Sequence, residues 1–440
     1  MKGKGKFAAG HKPIARVSRL EQVMELLADI MKWQYPADQC ISRYFRANPK
    51  MGARDRAEVA EAVFDVLRHL RRYRRDAQSC PVRLQECLAW RGLYATSRLQ
   101  AQFQTGNKDL DEWLARCDSI DPQSLPFAVR YSLPEWLAER FLKMPQPESL
   151  AGSLLKSAPI DLRVNTLKSD RNQVLEQIRG MFESDKTKGF TAEPTPFSDV
   201  GIRIGGHPPI QKWGLFEKGV IEVQDEGSQL LAKLVDPKRH EMVIDFCAGA
   251  GGKTLALGAM MASTGRLYAF DISAARLARA KPRFARSGLS NIYPVVIRPE
   301  KDDRVVRLSR KAHRVLVDAP CTGLGTLRRN PDLKWRLQQE ELERLLVQQA
   351  SILDQASACV RPGGRLVYAT CSLLAEENEM QVHAFLERNK DFELVHAGDM
   401  LPKSLLETEF SALDEHGMLH LRPDWHGTDG FFAAVMLRKD

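Results

Sequence analysis

The chain has 440 residues, 43% hydrophobic and 28% charged, with a formal net charge of +9. That length exceeds one ordinary core and predicts two or three domains. The composition excludes a disordered chain, and no apolar run is long enough to span a bilayer. The basic balance favours a polyanionic partner, most simply nucleic acid. Lys2, Lys4, Lys6, Lys12 and Arg16 form a basic arm with no apolar segment after it. No secretory signal is therefore expected, and the cytoplasm is the default location.

Residues from about 17 to 145 read as helical. Leu20, Val23, Leu26, Leu27 and Ile30 recur at helical spacing, and Val59, Ala62, Val63, Val66 and Leu67 repeat the pattern over 57–70. Arg68, Arg71, Arg72, Arg74 and Arg75 crowd the end of that second stretch. They suit either RNA contact or a solvated helix face. Residues 146–220 change character, with an alternating strand at 160–164 and a short helix over 170–178 capped by Ser169 or Asp170. They read as a small α+β module. From 221 onward strands and helices alternate. Strands are expected at 242–246, 267–270, 292–297, 314–317 and 365–369, and a late, antiparallel one at 431–437. Helices are expected at 253–261, 274–286, 340–360 and 376–387. Such alternation predicts an α/β domain, a mostly parallel doubly wound sheet with helices on both faces.

Eight cysteines occur and none forms a Cys-x-x-Cys pair, so no zinc site, and no metal, is expected. Two of them stand apart by position. Cys321 closes the run Val315-Leu316-Val317-Asp318-Ala319-Pro320, and Cys371 closes Leu366-Val367-Tyr368-Ala369-Thr370. The carboxyl ends of parallel strands carry the chemistry in such sheets, so both thiols should face one crevice. Upstream, Asp245-Phe246-Cys247-Ala248-Gly249-Ala250-Gly251-Gly252-Lys253-Thr254 joins the first strand to its helix. The glycines let a ligand approach the backbone. Their spacing matches neither the phosphate loop nor the dinucleotide fingerprint. Asp271 ends the next strand, placed to accept hydrogen bonds from ribose hydroxyls, or to cap the helix that follows. Loop plus acid fits a nucleoside cofactor without a pyrophosphate, which points to S-adenosylmethionine.

These segments, together with Arg328-Arg329-Asn330-Pro331, Thr370-Cys371-Ser372, Val223-Gln224-Asp225-Glu226-Gly227-Ser228 and Asp429-Gly430-Phe431-Phe432, resemble the motifs of the RNA 5-methylcytosine methyltransferases, the RsmB/Nop/Nsun family. The resemblance covers roughly residues 150–440, and residues 41–70 are similar to the helical N-terminal region of bacterial RsmB-type members. It implies a basic arm and NusB-like helical domain over 1–145, a ferredoxin- or RRM-like module over 146–220, and a Rossmann-like class I S-adenosylmethionine-dependent methyltransferase domain over 221–440. It implies methylation of carbon 5 of a cytosine in RNA, with 16S ribosomal RNA expected ahead of transfer RNA; the oligomeric state is left open, with a monomer as the default. Cys371 would attack the base and Cys321 would assist release. Asp318 would hold the ring nitrogen, and Lys253 would contact the base or polarise its carbonyl. The cofactor would lie against Cys247, Ala248, Gly249, Ala250, Gly251, Gly252, Lys253, Asp271 and Asp318. One departure concerns the end of the third strand, where relatives place Gly-Asp to meet the adenine. Here the sequence is Arg298-Pro299-Glu300-Lys301-Asp302-Asp303, and Glu300 is the expected substitute, with Asp302 and Asp303 as alternatives. Arg328, Arg329 and Trp335 are candidates to grip the base or its backbone. A non-catalytic RNA-binding protein on the same scaffold is the competing reading, although such a protein needs neither thiol.

Overall fold

The first periodic stretch forms the helix Arg19–Ile30, burying Val23, Leu26, Leu27 and Ile30. Ser18 and Glu21 close its start as a reciprocal capping box, satisfying amides that the helix itself leaves open. The second stretch runs longer than its apolar pattern suggests, as the helix Ala53–Asp76, with non-helical backbone at His69. In the computed structural model, which describes residues 18–98, 100–183, 189–299 and 302–440, these helices belong to the first of two units, Met1–Pro134, and the second is Glu135–Asp440. The basic arm lies outside the described residues. The arginine cluster divides within its own unit: Arg71 donates to the Leu133 carbonyl at 2.7 Å, while Arg74 and Arg75 are exposed. No helix among the described residues is long and apolar enough to cross a membrane.

The second unit holds two sheets. The smaller contains β1 (Ile160–Val164), β2 (Thr191–Pro194), β3 (Gly201–Gly205) and β4 (Ile221–Val223), in the antiparallel order β2-β3-β1-β4. The helix Arg171–Met181, capped by Asp170, covers one face. Its Val174, Leu175 and Ile178 pack with Leu162, Val164, Ile202 and Ile204. β4 lies beyond the boundary expected at 220. Its register against β1, Leu162 opposite Val223, makes it part of the small sheet. The helices Glu135–Phe141 and Pro147–Leu154 likewise group with this unit. Arg140 pairs with Glu376 at 3.0 Å, and Arg422 donates to the Pro145 carbonyl at 2.7 Å.

The larger sheet contains β5 (Met242–Asp245), β6 (Arg266–Asp271), β7 (Ile292–Val296), β8 (Ala312–Asp318), β9 (Val360–Thr370), β10 (Phe392–Val395), β11 (Leu419–Leu421) and β12 (Phe431–Arg438). The order is β10-β12-β9-β8-β5-β6-β7, with β11 paired to β12. β5 through β9 are parallel, and β12 returns antiparallel to β9. Successive residues alternate between two cores, as strand geometry requires. Val315, Val317, Leu366 and Tyr368 enter one, and Leu316, Val367 and Ala369 the other. Both faces are covered, which explains why these strands read as continuous apolar runs. The chain leaves β5 toward β6 and later returns to β8 on the other side of β5. That reversal opens a crevice at the carboxyl ends of β5 and β8.

Candidate active site

The loop after β5 is held by its own backbone. Ala248 N–H donates to the Phe270 carbonyl at 2.8 Å, and Gly251 N–H to the Ala248 carbonyl at 2.8 Å. Gly251 adopts a φ of +81°, and a Cβ there would sit 2.4 Å from the Phe284 ring, so only glycine fits. Gly249, at φ +55°, is different. A Cβ there would meet nothing closer than the Cys247 carbonyl at 3.9 Å, which leaves open space above the loop. Asp271 accepts from Gly249 N–H at 2.9 Å and from Ser273 N–H at 2.7 Å. It therefore fastens the loop and the start of the next helix, whose N-cap is Ser273. Each carboxylate oxygen retains capacity for a further donor. Open space above a glycine, a strand-end carboxylate and the N-terminus of the helix Gly252–Met260 fit a nucleoside cofactor. Ala250 gives its carbonyl to Arg283 at 2.6 Å, and Cys247 is partly exposed, its thiol pushed well up by burial.

Glu300 lies outside the described residues. Asp302 caps the helix Asp303–Val306, accepts from Arg298 N–H at 3.0 Å and pairs with Arg304, which holds its carboxyl well below the usual range. Its oxygens serve the loop. Asp303 is exposed on the first turn of that helix.

On the other side of the crevice the two strand-end cysteines meet. The Sγ atoms of Cys321 and Cys371 are 3.4 Å apart. The neighbouring Cys371 thiol and burial together push the Cys321 thiol well above its ordinary value. Lys253 Nζ lies 2.7 Å from Asp318 Oδ2 and 5.8 Å from the centre of the Phe431 ring. Burial works against the Lys253 ammonium, but Asp318 outweighs it and the lysine stays raised. Lys253, Asp318, Cys321 and Cys371 are all partly exposed, whereas Thr322 and Ser372, next in the chain after each cysteine, are buried. The arrangement presents four reactive side chains on a buried polar floor. Behind Lys253, Asp245 accepts from Thr254 Oγ1 at 2.7 Å, and burial raises its carboxyl to about 7.

Three segments close around the thiols. Gly325 N–H donates to the Cys371 carbonyl at 2.9 Å, and Gly430 N–H to the Gly325 carbonyl at 2.9 Å. A Cβ at Gly325 would lie 2.1 Å from the Gly430 oxygen. Arg328 and Arg329, the candidates to grip the base or its backbone, form ion pairs within the protein. Arg328 pairs with Asp429 at 3.0 Å, and Arg329 with Asp429 at 2.5 Å and Asp225 at 2.8 Å. The Asp429 carboxylate is buried and the Asp225 side chain is only 7% exposed; burial together with the charge of Asp429 raises Asp225 to about 6. These arginines brace the loop after Cys321 against β12 and the segment after β4. Trp335 is half-buried beside Lys334. Among the described residues no cluster of His, Cys, Asp or Glu could hold a metal ion.

The geometry has counterparts in known proteins. A family model described as 16S rRNA methyltransferase RsmB/F matches residues 232–437. The probable ribosomal RNA small subunit methyltransferase B of Bacillus subtilis (strain 168) is 32% identical over 325 residues, covering 73% of this chain and 70% of that protein. The ribosomal RNA small subunit methyltransferase B of Escherichia coli O6:K15:H31 (strain 536 / UPEC) is 31% identical over 343 residues, 77% of this chain and 71% of that one. Among solved structures, PH0851 is 25% identical with a TM-score of 0.74, covering 95% of this chain and 98% of that one. A methyltransferase homolog protein from Pyrococcus horikoshii is 28% identical with a TM-score of 0.59, covering 72% and 100%. Likeness of this extent, over both the sheet and the strand ends that carry the thiols, makes the chain a member of the 16S rRNA methyltransferase RsmB/F family.

Proposed function

We propose that the chain methylates carbon 5 of a cytosine in small-subunit ribosomal RNA, with Cys371 as the nucleophile and Cys321 as the thiol that helps release the product. The observation that carries the assignment is the meeting of two strand-end thiols 3.4 Å apart beside the Lys253–Asp318 pair. A protein that only binds RNA has no use for that pairing.

Carbon 5 of cytosine is a poor nucleophile. Addition of the Cys371 sulfur to carbon 6 makes carbon 5 enamine-like and able to accept a methyl group. S-adenosylmethionine, when bound, supplies that methyl in activated form. Gly249, Gly251, Gly252 and Asp271 would hold it, with Cys247, Ala248 and Ala250 completing the loop. The ring nitrogen takes up a proton as the thiolate adds, and Asp318 accepts a charge-assisted hydrogen bond from it that strengthens as the adduct forms. Lys253 orients Asp318 and balances its charge. Once water takes the proton from carbon 5, the bond to Cys371 breaks, the ring double bond is restored, the ring nitrogen gives back its proton and Cys371 leaves as the thiolate. Cys321, kept protonated by its surroundings, stands beside the departing sulfur. The target base must be unpaired or turned out of its stack to enter such a crevice.

Bisulfite sequencing of ribosomal RNA tests this reading, in cells lacking the protein and in cells carrying Cys371→Ala. One cytosine of the small-subunit RNA should lose its mark in both. Retention of every mark in both would overturn the assignment.

A further inference from the structure

Each cysteine is followed by a hydroxyl residue, Thr322 after Cys321 and Ser372 after Cys371. Both hydroxyls donate to one carboxylate, that of Glu377, which is completely buried. Thr322 Oγ1 reaches its Oε2 at 2.5 Å, and Ser372 Oγ donates to the same oxygen. The other oxygen accepts from Thr322 N–H at 2.8 Å and from Gln349 Nε2 at 3.0 Å. That amide also donates to the Pro320 carbonyl at 3.0 Å, one residue before Cys321. The Glu377 carbonyl receives the Tyr368 hydroxyl at 2.7 Å, from the strand that leads to Cys371. A carboxylate away from water is stable only when its lone pairs are filled, and here the donors come mainly from the two thiol-bearing loops.

We infer that Glu377 is a positioning residue that fixes the separation of Cys321 and Cys371 by binding the residue after each of them. The inference rests on the roles proposed above for the two thiols. Fixing residues 322 and 372 on one anchor fixes the backbone from which each sulfur projects. A shift of about 1 Å at a reacting group can cost on the order of a hundredfold in rate. A structural cap alone would serve one loop. Glu377 serves both, and through Gln349 it also holds the proline before Cys321.

The test uses the full-length protein with Glu377→Gln, which keeps the shape but loses the charge and half of the acceptor capacity. Two readouts go beyond folding. The first is single-turnover methyl transfer to ribosomal RNA, with S-adenosylmethionine affinity measured separately. The second is the rate at which diamide joins Cys321 to Cys371 as a disulfide, the two thiols being oxidised and the diazene reduced to a hydrazine, followed by peptide mass. Transfer should fall on the order of tenfold to a hundredfold at unchanged cofactor affinity, and disulfide formation should slow with it. Thr322→Val and Ser372→Ala should each reproduce part of the loss, while Thr322→Ser and Ser372→Thr, which keep the hydroxyls, restore it. If Glu377→Gln does not fold, the hydroxyl variants decide by the same two readouts. A folded Glu377→Gln protein, or folded hydroxyl variants, with normal transfer and normal disulfide rate would overturn the inference. Cys371→Ala is run alongside: full transfer in that variant would instead remove the roles given to the thiols, and the disulfide rate, read in the other variants, would still report on position.

Discussion

The two halves of the crevice are built by different means. The half at the ends of β5 and β6 is made of backbone: glycines in left-handed conformation, amides turned inward and one carboxylate, Asp271, fastening the loop. The half at the ends of β8 and β9 is made of side chains: two thiols, a lysine–aspartate pair and, beneath them, buried Glu377, Thr322, Ser372 and Gln349. A half made of backbone adapts its position little and tolerates changes of side chain that leave the turn intact. A half made of buried polar groups depends on every partner, because an unpaired group in low dielectric is costly. The cofactor half should therefore fail through shape, and the thiol half through chemistry and position.

Substitutions can sharpen that contrast. Within the thiol half, after loss of the Cys371 nucleophile itself, the largest loss should come from Asp318→Asn, which keeps the shape but removes the charge facing Lys253. Transfer should fall roughly a hundredfold or more while cofactor affinity changes little, read by single-turnover kinetics and calorimetry. Within the cofactor half, Gly251→Ala should act the opposite way. Its Cβ would strike the Phe284 ring in a backbone conformation that alanine resists, costing on the order of 1–3 kcal/mol. Melting temperature and cofactor affinity should drop together. Equal loss of affinity in both variants would erase the distinction between the halves.

The smallest effect on transfer is expected at the seam, from Asp245→Asn. The Asp245 carboxyl is raised from 3.8 to about 7 by burial. The folded state therefore holds a proton that the unfolded chain has already released. Stability should fall as pH rises from the ordinary carboxylate range toward 7, by at most about 1.4 kcal/mol per pH unit. Asp245→Asn should flatten that slope in denaturant unfolding measured across this range. An unchanged slope would show that Asp245 titrates normally.

The contrast also explains what the sequence made legible. Glycines between a strand and a helix, with an acid at the next strand end, carry their meaning locally, and the loop after β5 could be read directly. Cys321 and Cys371 were legible because apolar runs mark the strand ends and parallel pairing brings those ends together. Arg328 and Arg329 read as candidates to grip the base, and their ion pairs were not legible, because charge is visible in a sequence and its partner is not. Asp429 and Asp225 lie far along the chain, and only β12 returning beside β9 brings Asp429 to the arginines. Glu377 stood unmarked in an acidic stretch, Glu376-Glu377-Asn378-Glu379, that resembles an ordinary helix start. Its one available signal was a hydroxyl residue after each cysteine. β4 was assigned to the wrong side of a boundary because three residues give no period, and strand pairing alone places them.

The most direct test of the whole account is to trap the enzyme on its RNA. Cys321→Ala, incubated with S-adenosylmethionine and unmodified small-subunit ribosomal RNA, should accumulate a covalent protein–RNA complex that resists denaturation. Peptide mapping should place the nucleotide on Cys371. No adduct, or a nucleotide on Cys247 or another cysteine, would contradict it.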